Sequence, residues 1–156
     1  MKEISPQAME KIEVLVKRYP VKRSALLEVL HIVQEEWGYI DQEGEERVAE
    51  ILDLEPVQVH EVVSFYTMYE RKPVGNHIIR VCRNLTCTLM GADNLINYLK
   101  RKLKVKVGGT TSDGRFTLQT VECLGACEIA PVMQIDGEFY GNLTPDKIDS
   151  ILEEIK

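Results

Sequence analysis

The four cysteines constrain this chain most. They form two close pairs, Cys82-Arg-Asn-Leu-Thr-Cys87 and Cys123-Leu-Gly-Ala-Cys127, with 35 residues between the pairs. Cys-x4-Cys and Cys-x3-Cys each confine two thiols to a tight segment. The two segments meet only if the elements before them end at the same place.

The pattern around the cysteines predicts such a meeting. His77-Ile-Ile-Arg-Val-Cys82 is β-branched and apolar and reads as a strand buried on both faces. A helix follows through Ala92, Leu95, Ile96, Leu99 and Leu103, then a possible strand at Val105 to Val107, a turn region from Gly108-Gly109 to Asp113-Gly114, and a strand over Phe116 to Val121. Asp136-Gly137 between Val132–Ile135 and Glu138–Tyr140 suits a type I′ hairpin, and Thr144-Pro145 opens a closing helix through Ile148, Ile151, Leu152 and Ile155. The order is β-α-β-β-β-α, or βαβ with a hairpin and a helix, which is the order of thioredoxin-like folds. Cys82 and Cys123 then end two strands, each with a loop after it, at one edge of the sheet.

The first part of the chain has a different texture. Ser5-Pro6 starts a helix with Ile12, Leu15 and Val16. A second helix runs from near Ser24 through Leu26, Leu27, Leu30, Val33 and Trp37 to Gly38, Asp41 caps a third through Val48, Ile51 and Leu52, and Pro56 opens a fourth through Val59, Val62 and Val63 toward Phe65 and Tyr66. The fold class expected is α/β (α+β), with a small helical bundle over residues 1–74 and a thioredoxin-like domain over 75–156.

Thiolates suit zinc, copper(I) or iron–sulfur centres. Structural zinc commonly uses Cys-x2-Cys knuckles, whereas these spacers are wider and lie among Leu85, Leu89, Leu124, Ala126, Ile129, Ala130 and Pro131, a setting that favours a cluster. The spacing also differs from the Cys-x4-Cys-x2-Cys of plant-type ferredoxins and the Cys-x2-Cys of thiol oxidoreductases. Iron–sulfur, a zinc-stabilised interaction module and thiol or disulfide chemistry all remain open on residue types alone.

Residues 82–91 and 123–131 closely resemble the thioredoxin-like [2Fe–2S] subunit of NADH:quinone oxidoreductase, respiratory complex I, and the likeness extends through Ser64-Phe65-Tyr66-Thr67-Met68-Tyr69 to nearly the whole chain. The resemblance implies one [2Fe–2S] cluster per chain, with Cys82 and Cys87 on one iron and Cys123 and Cys127 on the other. It implies single-electron exchange with the flavin of a larger partner subunit that binds FMN and NADH, so the chain is a subunit of an oxidoreductase and is not catalytic alone. It also implies a cytoplasmic place, peripheral to the inner face of the cell membrane through the complex. The equivalent subunit of an NAD-linked hydrogenase or formate dehydrogenase shares the motif, and a free-standing ferredoxin would not need some 70 helical residues before its first strand.

Other features agree with a docked protein. No Gly-x-Gly-x-x-Gly occurs, so no nucleotide site is expected on this chain. The net charge of −6 resides in the first 75 residues, with nine basic and fifteen acidic side chains, which disfavours nucleic acid and suits a protein partner or solubility. No apolar run reaches the roughly 18–20 residues of a membrane span, and the acidic N-terminus does not read as a targeting peptide. Arg83 is the cation expected near the cluster, and Gly91, Gly125, Thr86 and Thr88 are candidate donors to its sulfurs, competing with plain turn and capping roles. His31, His60, His77, Trp37, Tyr66 and Tyr69 read as surface or packing residues. Lys100, Arg101, Lys102, Lys104 and Lys106 read as a solvated basic helix end.

Overall fold

A computed structural model describes residues 2–155 and divides the chain into two compact units, Met1–Pro73 and Val74–Lys156.

In the first unit, Ser5 caps α1 (Pro6–Val16), its hydroxyl accepting from the Ala8 N–H at 3.2 Å. A 3-10 turn at Lys22–Ala25 precedes α2 (Leu26–Trp37), so the α-helix proper starts two residues after the expected Ser24. Gly38 ends α2 at φ 80, a conformation that a side chain disfavours. Asp41 caps α3 (Gln42–Leu52) by accepting from Gly44 N–H at 3.0 Å, and Glu55 and Gln58 form a capping box on α4 (Pro56–Phe65). Ile12, Val29, Leu30, Val33, Val48, Leu52, Val59 and Val63 are buried together between the helices. After α4 the chain is tied back to α2: Gln34 donates to the Met68 carbonyl at 2.9 Å and accepts from Glu70 N–H at 2.7 Å, while the Tyr69 hydroxyl donates to the Leu27 carbonyl at 2.8 Å.

In the second unit, β1 (His77–Cys82) is followed by α5 (Leu85–Leu89), α6 (Ala92–Leu103), β2 (Phe116–Val121), β3 (Met133–Ile135), β4 (Glu138–Tyr140) and α7 (Pro145–Glu154). The sheet order is β2-β1-β3-β4, with β1 parallel to β2 and antiparallel to β3. Ile79, Val81, Leu118, Met133 and Ile135 of the sheet pack with Leu95 and Leu99 of α6 and Ile148 and Ile151 of α7. The two helices are joined through Asp149, which accepts from the Tyr98 hydroxyl at 2.6 Å and pairs with Lys102 at 3.1 Å. These two bonds also hold the Asp149 carboxyl below the usual carboxylate range. Part of the basic stretch is therefore structural. Asp136 and Gly137 have φ 51 and 94, the two positive values that a type I′ hairpin requires.

Three expectations are corrected. Val105–Val107 is not a strand. α6 ends with Lys104 in the left-handed region at φ 55, and the chain uses the next residues to reverse. It meets β2 only from Gly108, through Gly108 N–H to Leu118 carbonyl at 2.6 Å and the isolated bridge Thr110–Thr117. The sheet thus has four strands, and the βαβ, hairpin, helix order is the one observed. β1 is also less enclosed than expected: Ile79 and Val81 are buried, but Ile78 and Arg80 only half so. Finally, Cys82 is followed by a short helix, not a plain loop.

Candidate metal centre

The parallel register sets Cys82 opposite Val121, the last pair of the β1–β2 ladder, and Arg83 N–H donates to the Val121 carbonyl at 2.9 Å. Adjacent strands lie about 4.8 Å apart, so Cys123, two residues beyond Val121, leaves the sheet beside the end of β1. On the other side Cys82 N–H donates to the Val132 carbonyl at 3.2 Å, which draws in the segment after Cys127.

Each pair has its own local scaffold. Asn84 caps α5, its side chain accepting from Leu85 N–H at 2.8 Å, and the single turn directs Cys87 inward while Leu85 and Leu89 remain on the outside. The expectation that those two leucines line the thiols is therefore corrected: they are 70% and 76% exposed. The lining is Ala92, Ala130 and Val132, with half-buried Leu124, Ala126 and Ile129. Cys127 opens a 3-10 turn, Cys127–Ile129. Gly141 passes so close to Ile129 that an added Cβ would overlap it, and Asn142 N–H donates to the Ile129 carbonyl at 2.6 Å. This support from beyond the hairpin carries no sequence signal except a glycine near a turn.

The four thiols are free, and they are not equivalent. Cys82 and Cys87 are 2% and 1% exposed, whereas Cys123 and Cys127 face solvent. Burial pushes the Cys87 thiol up. The Val132 N–H hydrogen bond opposes this, and the neighbouring Cys82 and Cys127 thiols raise it further. A positive centre that binds thiolate would offset that penalty. Gly125 N–H donates to Cys123 Sγ at 3.3 Å, so Gly125 is placed as a sulfur donor. Gly91 and Thr88 are not, because Gly91 N–H donates to the Thr88 carbonyl and the Thr88 hydroxyl to the Arg83 carbonyl, both at 3.0 Å. Arg83 forks onto Glu122, a partner that attention to the cysteines alone overlooks.

The histidines have other partners: His31 lies against the Tyr69 ring, His60 against the Glu45 carboxylate at 2.9 Å and His77 against Asp136 at 2.5 Å. Among the described residues no group of three or more His, Cys, Asp or Glu side chains is gathered to hold one metal ion. A two-iron cluster asks instead for two pairs of thiolates, one pair per iron. Four soft thiols in two pairs, at one end of adjacent parallel strands, with an apolar lining and a backbone donor on sulfur, fit that group.

A βαβ unit with a hairpin and terminal helix, carrying paired thiols at the end of its parallel strands, defines a thioredoxin-like redox protein. Residues 12–156 match the thioredoxin-like [2Fe–2S] ferredoxin family, and the chain belongs to it. The family binds a [2Fe–2S] cluster. The chain is 44% identical over 147 residues to an NADH-quinone oxidoreductase subunit of Rhizobium meliloti, spanning 94% of this chain and 88% of the relative. It is 40% identical over 147 residues to the corresponding NADH-quinone oxidoreductase subunit of Rickettsia bellii, spanning 92% and 88%. A chain of the NAD+-reducing [NiFe]-hydrogenase superposes on 84% of it with a TM-score of 0.73 at 24% identity, covering 22% of that larger chain, which shows the shared fold.

Proposed function

We propose that this chain is the electron-transfer subunit of an NADH:quinone oxidoreductase, holding one [2Fe–2S] cluster through Cys82 and Cys87 on one iron and Cys123 and Cys127 on the other. The observation that carries the ligand assignment is the register pairing Cys82 with Val121, which delivers both cysteine pairs to one end of the sheet. The relatives, both subunits of that oxidoreductase, carry the assignment to the complex.

Such a cluster accepts and releases one electron at a time. The chain's own residues determine the setting. Cys82, Cys87 and the Ala92, Ala130 and Val132 lining keep water from the inner side, while exposed Cys123 and Cys127 face outward, where a redox partner can approach. The Gly125 N–H favours thiolate at Cys123 and so favours the more negative, reduced state. In this reading hydride chemistry belongs to a larger flavoprotein that binds FMN and NADH, and the chain joins the membrane only through its complex. No described helix is long and apolar enough to cross a membrane.

The test is native co-purification with an NADH-oxidation assay on the recovered complex, together with iron and sulfide analysis of the isolated chain. Recovery with a flavoprotein that oxidises NADH and passes electrons to quinone, and about two irons and two sulfides per chain with colour bleached by dithionite, is the expected result. Recovery with hydrogenase subunits would move the chain to another complex, and zinc in place of iron would end the redox assignment.

A further inference from the structure

Arg83 stands directly after Cys82, and Glu122 directly before Cys123. The backbone ladder between β1 and β2 ends at this point, and the side chains extend it: Arg83 Nε and Nη2 both donate to Glu122 Oε1, at 3.0 and 2.7 Å. The same arginine also ties down its own ligand segment through its carbonyl, which accepts from the hydroxyl of Thr88, the residue after Cys87. Its N–H meets the Val121 carbonyl. The guanidinium, amide and carbonyl of one residue therefore connect the end of β1, the turn of α5 and the start of the Cys123–Cys127 loop.

We propose that Arg83 and Glu122 form a clasp, a pair of positioning residues that holds the two cysteine loops together and presents the cluster with a neutral pair in place of a lone charge. The proposal rests on the ligand assignment above. Side chains 57% and 70% exposed make a pair that adds little to folding, so the consequence of breaking it falls on the centre between the loops. A four-thiolate cluster carries roughly −2 when oxidised and −3 when reduced. A lone arginine beside it favours reduction and a lone glutamate opposes it, whereas the joined pair offsets both. The guanidinium geometry matters separately from the charge, because Nε–H and Nη2–H converge on the one oxygen Oε1 from a rigid plane, which an ammonium on a flexible stem does not reproduce.

The experiment compares the reconstituted full-length protein with Arg83→Ala, Glu122→Gln, the double variant and Arg83→Lys. EPR-monitored redox titration gives the potential, release of iron to a chelator gives the hold on the cluster, and far-UV circular dichroism checks the fold. At the wild-type midpoint, the reduced-to-oxidised ratio is expected to fall about threefold for Arg83→Ala and to rise about threefold for Glu122→Gln, with the double variant back near wild type, as for one charge-pair contribution removed or restored. Arg83→Lys is expected to keep the potential and to release iron faster. Single variants that shift the potential in the same direction, or that leave both potential and release unchanged in a loaded protein, would overturn the clasp alone. A wild-type chain that takes up no iron and sulfide would overturn the ligand assignment and the clasp with it.

Discussion

Gly141 offers a test of how the Cys127 segment is held. A Cβ built on it would sit 2.6 Å from Ile129 Cδ1 and closer still to Ile129 Cβ and Cγ1. A new side-chain rotamer relieves the contact with Cδ1 but not with Cβ, which is fixed to the backbone, so the 3-10 turn Cys127–Ile129 must move. Carbon atoms settle about 3.5–4.0 Å apart, so Gly141→Ala demands a displacement on the order of 1 Å. Forced overpacking of this kind costs about 1–3 kcal/mol, and at ~2 kcal/mol a unit of this size loses roughly 8–16 °C in Tm. Gly137→Ala is the control: its φ of 94 makes alanine strained, but nothing lies within 4 Å and the hairpin tip carries no cysteine. Thermal unfolding followed by visible absorption, with the half-life of the chromophore in chelator, reads both effects. Gly141→Ala is expected to lose the chromophore several-fold faster than wild type and Gly137→Ala to hold it. A Gly141→Ala protein with unchanged Tm and unchanged chromophore lifetime would refute the argument that this close approach positions Cys127.

Three further outcomes are expected. Met133→Ala removes a fully buried side chain from the middle of the sheet and should lower stability by about 2–5 kcal/mol in denaturant titration. Asp41→Ala removes the cap on α3 and should lower stability by ~1 kcal/mol without altering cluster absorption. Burial, with a smaller contribution from Tyr66, pushes the Tyr69 hydroxyl up to about 12. Since the folded value lies above the unfolded one, its stabilisation is complete below the unfolded tyrosine range near 10 and is lost as pH rises toward 12. Tyr69→Phe should flatten that alkaline fall in helical-unit stability, measured by thermal unfolding between pH 9 and 12, and a fall of equal steepness would contradict the assignment.

The helices and most of the sheet could be read in the sequence because their signals are local. Ser5, Asp41 and Thr144 are caps whose partners lie three residues on, Gly38 and Asp136-Gly137 mark backbone conformations that few other residues adopt, and the apolar spacing of α2 and α6 follows the helical period. The two strands that precede the cysteine pairs were likewise apparent, and their register sets Cys82 beside Val121, two residues before Cys123. Val105–Val107 misled because a β-branched run states a preference, whereas the left-handed turn at Lys104 depends on where α6 must release the chain.

What the chain order could not supply is anything that depends on distant segments arriving together. The inequality of the thiols, two sealed and two exposed, arises because Ala92, Ala130 and Val132 pack over Cys82 and Cys87 but leave Cys123 and Cys127 exposed. The outward turn of Leu85 and Leu89, the pairing of Arg83 with Glu122 across 39 positions and the support of Ile129 by Gly141 likewise belong to the folded chain. Periodicity and capping act over a few residues and are written in the local order of the chain; packing and charge pairing act through space and exist only once the strands have set their register.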